Sequence, residues 1–376
     1  MNIKVFFKKA ALYIKTGRAL GRKTGKASKI QERREGFEAF IAKPAHSEKG
    51  RDMTARIIGI GAYAPETIVT NEDLSKIVET SDEWIRSRTG IRERRISTQE
   101  GTSDLAAKAA RKALANAGVR PEELDIIILG TSSPDCNYPS DACTVQAAIG
   151  AVNAVAFDIS AACAGFIFAL NIVQGFFAAG IYKTALIIGA ETLSKVTDWS
   201  DRGTCVLFGD GAGAAVLQAA ETGVIDMTMG SDGTKGSALA CTSRTLGNFL
   251  TGTKPELGFM TMDGREVFSF AVRKIPESVE YLLEKTGISR EEIKYYVLHQ
   301  ANERIVEAAA RRLKEPMSKF PMTIGKYGNT STASIPLLLD DMVRQDMLKP
   351  GDKILLSGFG AGMTWGAVLM EWTLGA

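Results

Sequence analysis

Ala117-Gly118-Val119-Arg120-Pro121-Glu122-Glu123-Leu124-Asp125-Ile126-Ile127-Ile128 is echoed 169 residues later by Thr286-Gly287-Ile288-Ser289-Arg290-Glu291-Glu292-Ile293-Lys294-Tyr295-Tyr296-Val297. Each stretch reads as the glycine end of a helix, a short acidic turn and an apolar strand. The same offset pairs Gly61 with Gly230 and Gly189 with Gly358, and each of the four closes or follows a hydrophobic run. Matches held in one register along a chain indicate duplication. Helix-length segments alternating with apolar strands give parallel or mixed sheets covered by helices. The expected fold is therefore α/β, in two duplicated mixed-sheet halves over residues 53–225 and 226–376.

Duplication bears on function. Residues at equivalent places in two pseudo-symmetric halves can meet at the axis between them. At this offset Gly130 pairs with His299, and Cys163 pairs with Thr332, three residues from Asn329. A thiol, an imidazole and a carboxamide far apart in sequence can thus converge at the junction.

Outward from the repeat, composition narrows the classes. The 376 residues are 45% hydrophobic and 24% charged, with ample interior to bury a core. The formal charge of +3 hides an asymmetry: residues 1–52 hold 14 Lys/Arg against 5 Asp/Glu, net +9, which leaves −6 for the remainder. The body has no basic excess pointing to nucleic acid. Five cysteines without a CxxC pair or a cleavable signal peptide indicate a reducing, cytoplasmic setting and argue against a disulfide frame or metal site. Of the two histidines, His46 lies in the basic leader, so the body has one imidazole, His299. The uncharged stretch Ile159–Tyr182 carries three glycines, Ser160, Asn171 and Gln174, and reads as a helix buried within the protein rather than a membrane insertion. The leader has three readings: a start at Met53 with residues 1–52 untranslated, a targeting segment, or a basic surface-binding arm. Scarce serine and acids from Glu32 onward disfavour the second.

Cys163 sits in Asp158-Ile159-Ser160-Ala161-Ala162-Cys163-Ala164-Gly165-Phe166, where a strand ends and small residues open a helix. A helix N-terminus favours a thiolate, and small neighbours admit a substrate. A packed core cysteine is the plainer alternative. His299 follows an apolar strand and reads equally as a hydrogen-bonded structural residue. Asn329, in Tyr327-Gly328-Asn329-Thr330-Ser331, reads equally as a turn or cap residue. Ser357-Gly358-Phe359-Gly360-Ala361-Gly362-Met363-Thr364-Trp365-Gly366 is either a backbone-donating loop or a tight turn between strands. Gly209-Asp210-Gly211-Ala212-Gly213 lacks the spacing and strand–turn–helix placement of a dinucleotide fingerprint.

Together these segments resemble ketoacyl synthase III, the 3-oxoacyl-[acyl-carrier-protein] synthase III family of the thiolase superfamily, from about Met53 to the end. The matching motifs are Ser81-Asp82-Glu83-Trp84-Ile85, Arg88-Thr89-Gly90-Ile91-Arg92-Glu93-Arg94, Ala161–Phe166, Asp201-Arg202-Gly203-Thr204, His299-Gln300-Ala301-Asn302, Gly328–Ser331 and the final glycine-rich segment. The resemblance implies a thiolase-like fold, layered αβαβα. It makes Cys163 the nucleophile accepting an acyl group from acyl-CoA, and His299 and Asn329 the donors that hold a malonyl thioester during decarboxylation. The backbone N–H groups of Cys163 and Ala361 become the oxyanion hole. It places CoA against Trp84, Arg88, Arg202 and Asn302, and the acyl pocket at Tyr138 and Phe359. Acyl carrier protein falls on Gln300, Ala301, Asn302, Glu303 and Arg304, with Arg311 and Arg312 nearby. The implied enzyme is a homodimer without a cofactor or metal. Two positions depart from the family pattern: Tyr138 stands where Phe often lines the acyl pocket, and Ser269 where a basic residue is usual.

Elongating ketoacyl synthases use two histidines and thiolases a second cysteine in the C-terminal loop, so both fit poorly. The remaining rivals are a secondary-metabolism relative with the same triad and a non-catalytic acyl-binding protein.

Overall fold

The computed structural model describes residues 53–375, so the three readings of the leader lie outside the described residues. The first sheet is built from β1 (Thr54–Tyr63), β2 (Ile126–Gly130), β3 (Val155–Ile159), β4 (Thr184–Glu191) and β5 (Gly211–Ala220), in the order β1-β5-β4-β2-β3. The pairs β1/β5 and β5/β4 are antiparallel, whereas β4/β2 and β2/β3 are parallel. The second sheet uses β6 (Val224–Ser231), β7 (Ile293–Leu298), β8 (Lys353–Gly360) and β9 (Thr364–Glu371), in the order β7-β8-β9-β6. There β7/β8 is parallel and the other two pairs are antiparallel.

The two sheets repeat one plan. Moved by 169 residues, β4 falls on β8 end to end, and the turn Pro121–Glu123 falls on Arg290–Glu292. Of the helices, α1 is Asp82–Thr89, α2 is Thr102–Ala117, α3 is Gly165–Ala178, α4 is Gly264–Thr286, α5 is Glu303–Leu313 and α6 is Ser334–Arg344. Helices α2 and α4 end at Gly118 and Gly287, whose φ angles of 64° and 72° place them in the left-handed region where glycine is least strained. One strand has no counterpart. Shifted by the same offset, β3 becomes residues 324–328, which form a short helix, Ile324–Tyr327, instead. The first sheet therefore has five strands and the second four.

Burial arranges these parts in five layers. Alternate residues of the parallel strands point to opposite faces, so Ile126, Ile128 and Ile187 of the first sheet and Val297, Ile354 and Leu356 of the second face a shared interior. That interior is filled by α3 (Phe166, Ile167, Leu170, Val173, Phe177) and α6 (Ile335, Leu338, Leu339, Met342). The other face of the first sheet (Ile127, Leu129, Leu186, Ile188) packs on α2, and that of the second (Tyr296, Leu298, Leu355, Leu369) on α4 and α5. An α/β fold with helices inside and outside two mixed sheets results. The uncharged stretch becomes α3, apolar nearly all round because sheets cover it on both sides. Among the described residues no helix is long and apolar enough to cross a membrane. Because Phe177 is almost fully buried in that central layer, Phe177→Ala is expected to lower unfolding free energy by about 3–5 kcal/mol in urea titrations.

Candidate active site

The central helices bring both halves of the repeat to one point. After β3 the chain makes a turn, Ala162–Ala164, that runs directly into α3. In the other half Ser331–Ala333 makes the equivalent turn into α6. Ala162 and Ser331 occupy matching positions and both take positive φ, 45° and 47°, a conformation non-glycine residues adopt at a cost of about 1–3 kcal/mol. The two turns touch. The Thr332 hydroxyl lies 2.7 Å from the Ala162 carbonyl oxygen. The second turn holds the first.

Cys163 is 7% exposed and lines a pocket of about 110 Å³ together with His299, Asn329, Phe359, Gly360 and Ala301. The end of β8 reaches this turn because position 360 is glycine: a Cβ there would lie 2.6 Å from the Cys163 backbone nitrogen. Gly360→Ala is accordingly expected to displace the turn. Its signature is a fall of on the order of tenfold or more in the rate of Cys163 labelling by iodoacetamide with the fold retained by circular dichroism.

His299 follows β7. Its backbone N–H donates to the Ser357 carbonyl at 2.8 Å, and its Nδ1 is 2.6 Å from Ser334 Oγ. Ser334 Oγ already accepts from the Gln300 N–H at 3.3 Å, so its single proton is free to point at Nδ1. Nδ1 then accepts, and Nε2 carries the N–H offered to the pocket. Burial depresses the imidazole to about 3, keeping it neutral, and the Phe359 ring packs edge-on against it at 5.1 Å. Asn329 is fixed just as firmly. Its backbone exchanges hydrogen bonds with Leu207 and Gly209, while its Oδ1 accepts from the Ser331 N–H at 2.8 Å. The carboxamide oxygen is thus occupied and Nδ2 is the end left to donate. Two neutral donors and one thiol line the same apolar pocket.

The thiol departs from the sequence expectation. Cys163 does stand at the N-terminal end of α3, where the dipole favours a thiolate. Burial outweighs that effect and pushes the thiol up to about 12, and a charge on Glu191 would add to it. In the unliganded protein the nucleophile candidate is a protonated thiol.

The other sequence-singled residues separate into groups. Trp84 on α1 has the Arg88 guanidinium 4.9 Å and the Arg202 guanidinium 5.0 Å from its ring centroid. Asn302 caps α5 through the Arg304 N–H and donates from its amide to the Arg88 carbonyl, which ties α1 to the pocket mouth. Glu303 packs beside Gly90, whereas Arg304, Arg311 and Arg312 are exposed. Gln300 is a correction. It is buried, its amide donates to the Leu298 carbonyl and accepts from the Thr323 N–H, and no face remains for a partner protein. Tyr138 is 88% exposed and does not line this pocket, unlike Phe359. Ala361, the other expected backbone donor, starts the turn that follows β8. Ser269 is exposed. All five cysteines are free, and among the described residues no three His, Cys, Asp or Glu side chains are grouped to hold a metal.

Three polar residues escaped the sequence reading. Ser334 sets the His299 tautomer across 35 residues of chain, and Thr332 and Glu191 brace the Cys163 turn. The repeat contained a hint of one, since Thr332 is the counterpart of Cys163.

A buried cysteine at a strand–turn–helix junction, faced by a neutral imidazole and a carboxamide donor, defines a site suited to acyl transfer through a thioester. Family comparisons give that class a narrower identity. Residues 157–233 match the model of 3-oxoacyl-[acyl-carrier-protein (ACP)] synthase III, and residues 283–372 match that of its C-terminal region. A beta-ketoacyl-[acyl-carrier-protein] synthase III of Clostridium acetobutylicum is 53% identical over 322 residues, covering 85% of this chain and 99% of that relative. The crystal structure of the Aquifex aeolicus 3-oxoacyl-[acyl-carrier-protein] synthase III superposes with a TM-score of 0.78 at 46% identity, covering 85% of this chain and all of the other. A priming beta-ketosynthase from the R1128 polyketide pathway superposes at 0.79 with 33% identity, over 86% and 97% of the two chains. The chain belongs to the 3-oxoacyl-[acyl-carrier-protein] synthase III family.

Proposed function

We propose that this protein is the priming condensing enzyme of type II fatty acid synthesis, an acyltransferase that joins a short acyl-CoA to malonyl-acyl carrier protein. The observation that carries the reading is the convergence of Cys163, His299 and Asn329 on one pocket. Cys163 sulfur attacks the acyl-CoA carbonyl and its proton leaves with the CoA thiol. The emptied pocket then takes malonyl-carrier protein. Its C–carboxylate bond breaks, carbon dioxide departs, and the electron pair becomes an enolate whose oxygen is held by His299 Nε2–H and Asn329 Nδ2–H. The enolate carbon attacks the acyl-Cys163 carbonyl, whose oxyanion is held by the N–H groups of Cys163 and Ala361. Collapse releases 3-oxoacyl-carrier protein, and Cys163 regains a proton from solvent. Each such donor is worth about 3 kcal/mol in the transition state. Serial use of one pocket makes the kinetics ping-pong.

The proposed reaction draws on its two thioesters and no further cofactor, and a cytoplasmic setting suits both. CoA would meet Trp84, Arg88, Arg202 and Asn302, a reading supported by the two guanidiniums beside the ring on which an adenine would stack. Exposed Arg304, Arg311 and Arg312 on α5 suit an acidic carrier protein. Arg304→Glu is expected to raise KM for the carrier substrate about tenfold with kcat little changed, an effect that shrinks as salt rises. We also propose a homodimer. The first sheet ends in the open edge of β3, where Val152, Val155 and Tyr138 are exposed and a second copy would cover them.

Intact-mass analysis after mixing with a panel of acyl-CoAs tests the function. One acyl mass should appear and then vanish on adding malonyl-carrier protein. A protein that stays unmodified with every acyl-CoA would defeat the reading, and the panel also ranks acetyl against branched primers. The 53% identical relative favours a fatty-acid role over the polyketide role of the 33% identical neighbour.

A further inference from the structure

Behind the Cys163 turn lies a carboxyl group that the proposed chemistry does not use. Glu191 ends β4, is wholly buried and has no Lys or Arg ion-pair partner among the described residues. A buried, unpaired carboxylate is very costly. The hydrogen-bond inventory around it shows how that cost is avoided.

Oε2 is saturated with donors. The Ser133 hydroxyl lies 2.6 Å away, the Ser132 N–H 3.0 Å and the Thr131 hydroxyl 3.2 Å. Ser133 Oγ also accepts from the Thr192 N–H at 2.9 Å, which commits its proton to Glu191. Oε1 differs. It shares the Ser132 N–H at 3.2 Å, and its other partner is Thr332 Oγ1 at 3.1 Å, an oxygen that sits 2.7 Å from the Ala162 carbonyl. A hydroxyl has one proton. A carbonyl oxygen only accepts, so at the shorter separation the Thr332 proton belongs to Ala162. Thr332 then turns a lone pair toward Oε1, and a bond exists there only if Oε1 carries the hydrogen.

We propose that Glu191 is a neutral carboxylic acid whose Oε1–H begins a chain through the Thr332 hydroxyl to the Ala162 carbonyl, positioning the turn that presents Cys163. The inference rests on the reading of Cys163 as nucleophile. Three consequences follow from the geometry. The chain supports Ala162 at φ 45°, and so fixes the direction of the next peptide N–H, that of Cys163 itself. It crosses between the two halves, because Glu191 belongs to the first sheet and Thr332 to the turn before α6. It also spares the thiol a neighbouring negative charge. An ionised Glu191 would oppose formation of the thiolate that acyl transfer requires. Burial acts in the same sense, raising the Glu191 carboxyl above its ordinary range. Glu191 is a positioning residue rather than a catalytic one.

The test uses the full chain with Glu191→Gln, Glu191→Ala and Thr332→Val. Glutamine mimics a protonated carboxyl, an oxygen toward Oε2's donors and an N–H toward Thr332. Iodoacetamide labelling is followed against pH by mass analysis of the Cys163 peptide, because exposed Cys136 and Cys241 also react. The Glu191→Gln midpoint should coincide with that of the unsubstituted protein. A fall of more than roughly one pH unit would mean that a negative charge had been removed, and would overturn the proposal. An infrared difference spectrum, unsubstituted minus Glu191→Gln, should contain a carboxylic-acid carbonyl band that shifts in heavy water; a carboxylate pair of bands instead would overturn it too. Neither readout needs an acyl substrate, so both judge the proton on Glu191 even if Cys163 is never acylated. For the positioning role, Thr332→Val keeps the methyl that packs against Gly130, Gly165 and Gly189 but breaks the chain. It and Glu191→Ala should lower kcat on the order of tenfold to a hundredfold with KM for acyl-CoA nearly unchanged, and Glu191→Gln should restore most of the rate. Unsubstituted rates in Thr332→Val would refute the chain, and that variant decides the matter should Glu191→Ala fail to fold.

Discussion

Cys163→Ala is expected to leave the protein folded, unable to take up an acyl group from any acyl-CoA, and slower in condensation by on the order of 10⁴-fold or more. The substitution removes one sulfur from a site where Ala161, Ala162 and Ala164 already set the scale, so stability should change by only about 1 kcal/mol. The same variant should still decarboxylate malonyl-carrier protein. The enolate formed in that step is held by His299 and Asn329, and neither hydrogen-bond framework involves the thiol: His299 leans on Ser334 and Ser357, Asn329 on Leu207, Gly209 and Ser331. Carbon dioxide release without product is the expected readout, measured beside intact mass. Loss of decarboxylation together with acylation would mean that the thiol organises the donors, contrary to these hydrogen bonds.

How much of this was legible in advance depends on the distance over which each feature is specified. The duplicated plan was readable because its signals are local. Gly118 and Gly287 cap helices, acidic turns follow, and Ile126–Ile128 and Ile293–Val297 begin the buried strands. The offset carried further than the strands: it placed Cys163 opposite Thr332, and those two turns do touch. It failed at residues 324–328, where a second copy of β3 is replaced by a short helix, because symmetry in sequence does not oblige both sheets to have the same edge.

Side-chain roles were legible only where a family motif named them, and a motif says nothing of burial. Gln300 sits in the motif His299–Asn302, yet its amide is consumed by Leu298 and Thr323 in the interior. The positive φ of Ala162 carries no glycine to announce it. Nothing in the sequence around Glu191 announces its burial at the end of β4. It is buried only because Thr131, Ser132 and Ser133, some sixty residues earlier, wrap its carboxyl with donors. Cys163 shows the same lesson in its energetics. Its place at a helix start predicts an easily ionised thiol, and the surrounding core reverses the sign.

His299→Ala should show the complementary defect: Cys163 still gains an acyl mass, but decarboxylation and condensation fall by about 10²–10³-fold, the effect of losing one of two donors to a developing oxyanion. Histidine is suited to this role by what burial does to it. With the imidazole depressed to about 3, Nε2 bears its hydrogen and no charge at any pH near neutrality. The donor strength therefore does not titrate between about pH 5 and 8, and neither should the decarboxylation rate. The same depression has a consequence for stability whose sign is fixed. The unfolded chain binds a proton at His299 near pH 6.5, while the folded chain resists doing so down to about 3. The folded state binds fewer protons in that window, so His299 contributes stability that is complete above about pH 6.5 and is lost as pH falls toward 3. Between pH 7.5 and 5.5 that loss amounts to roughly 1.4 kcal/mol at most from this one group. Urea titrations at those two values should show the unsubstituted protein weakening more than His299→Asn by about that difference. Equal weakening in both proteins would mean that the imidazole takes up its proton in the folded state, and that its N–H is not the neutral donor on which the enolate step depends.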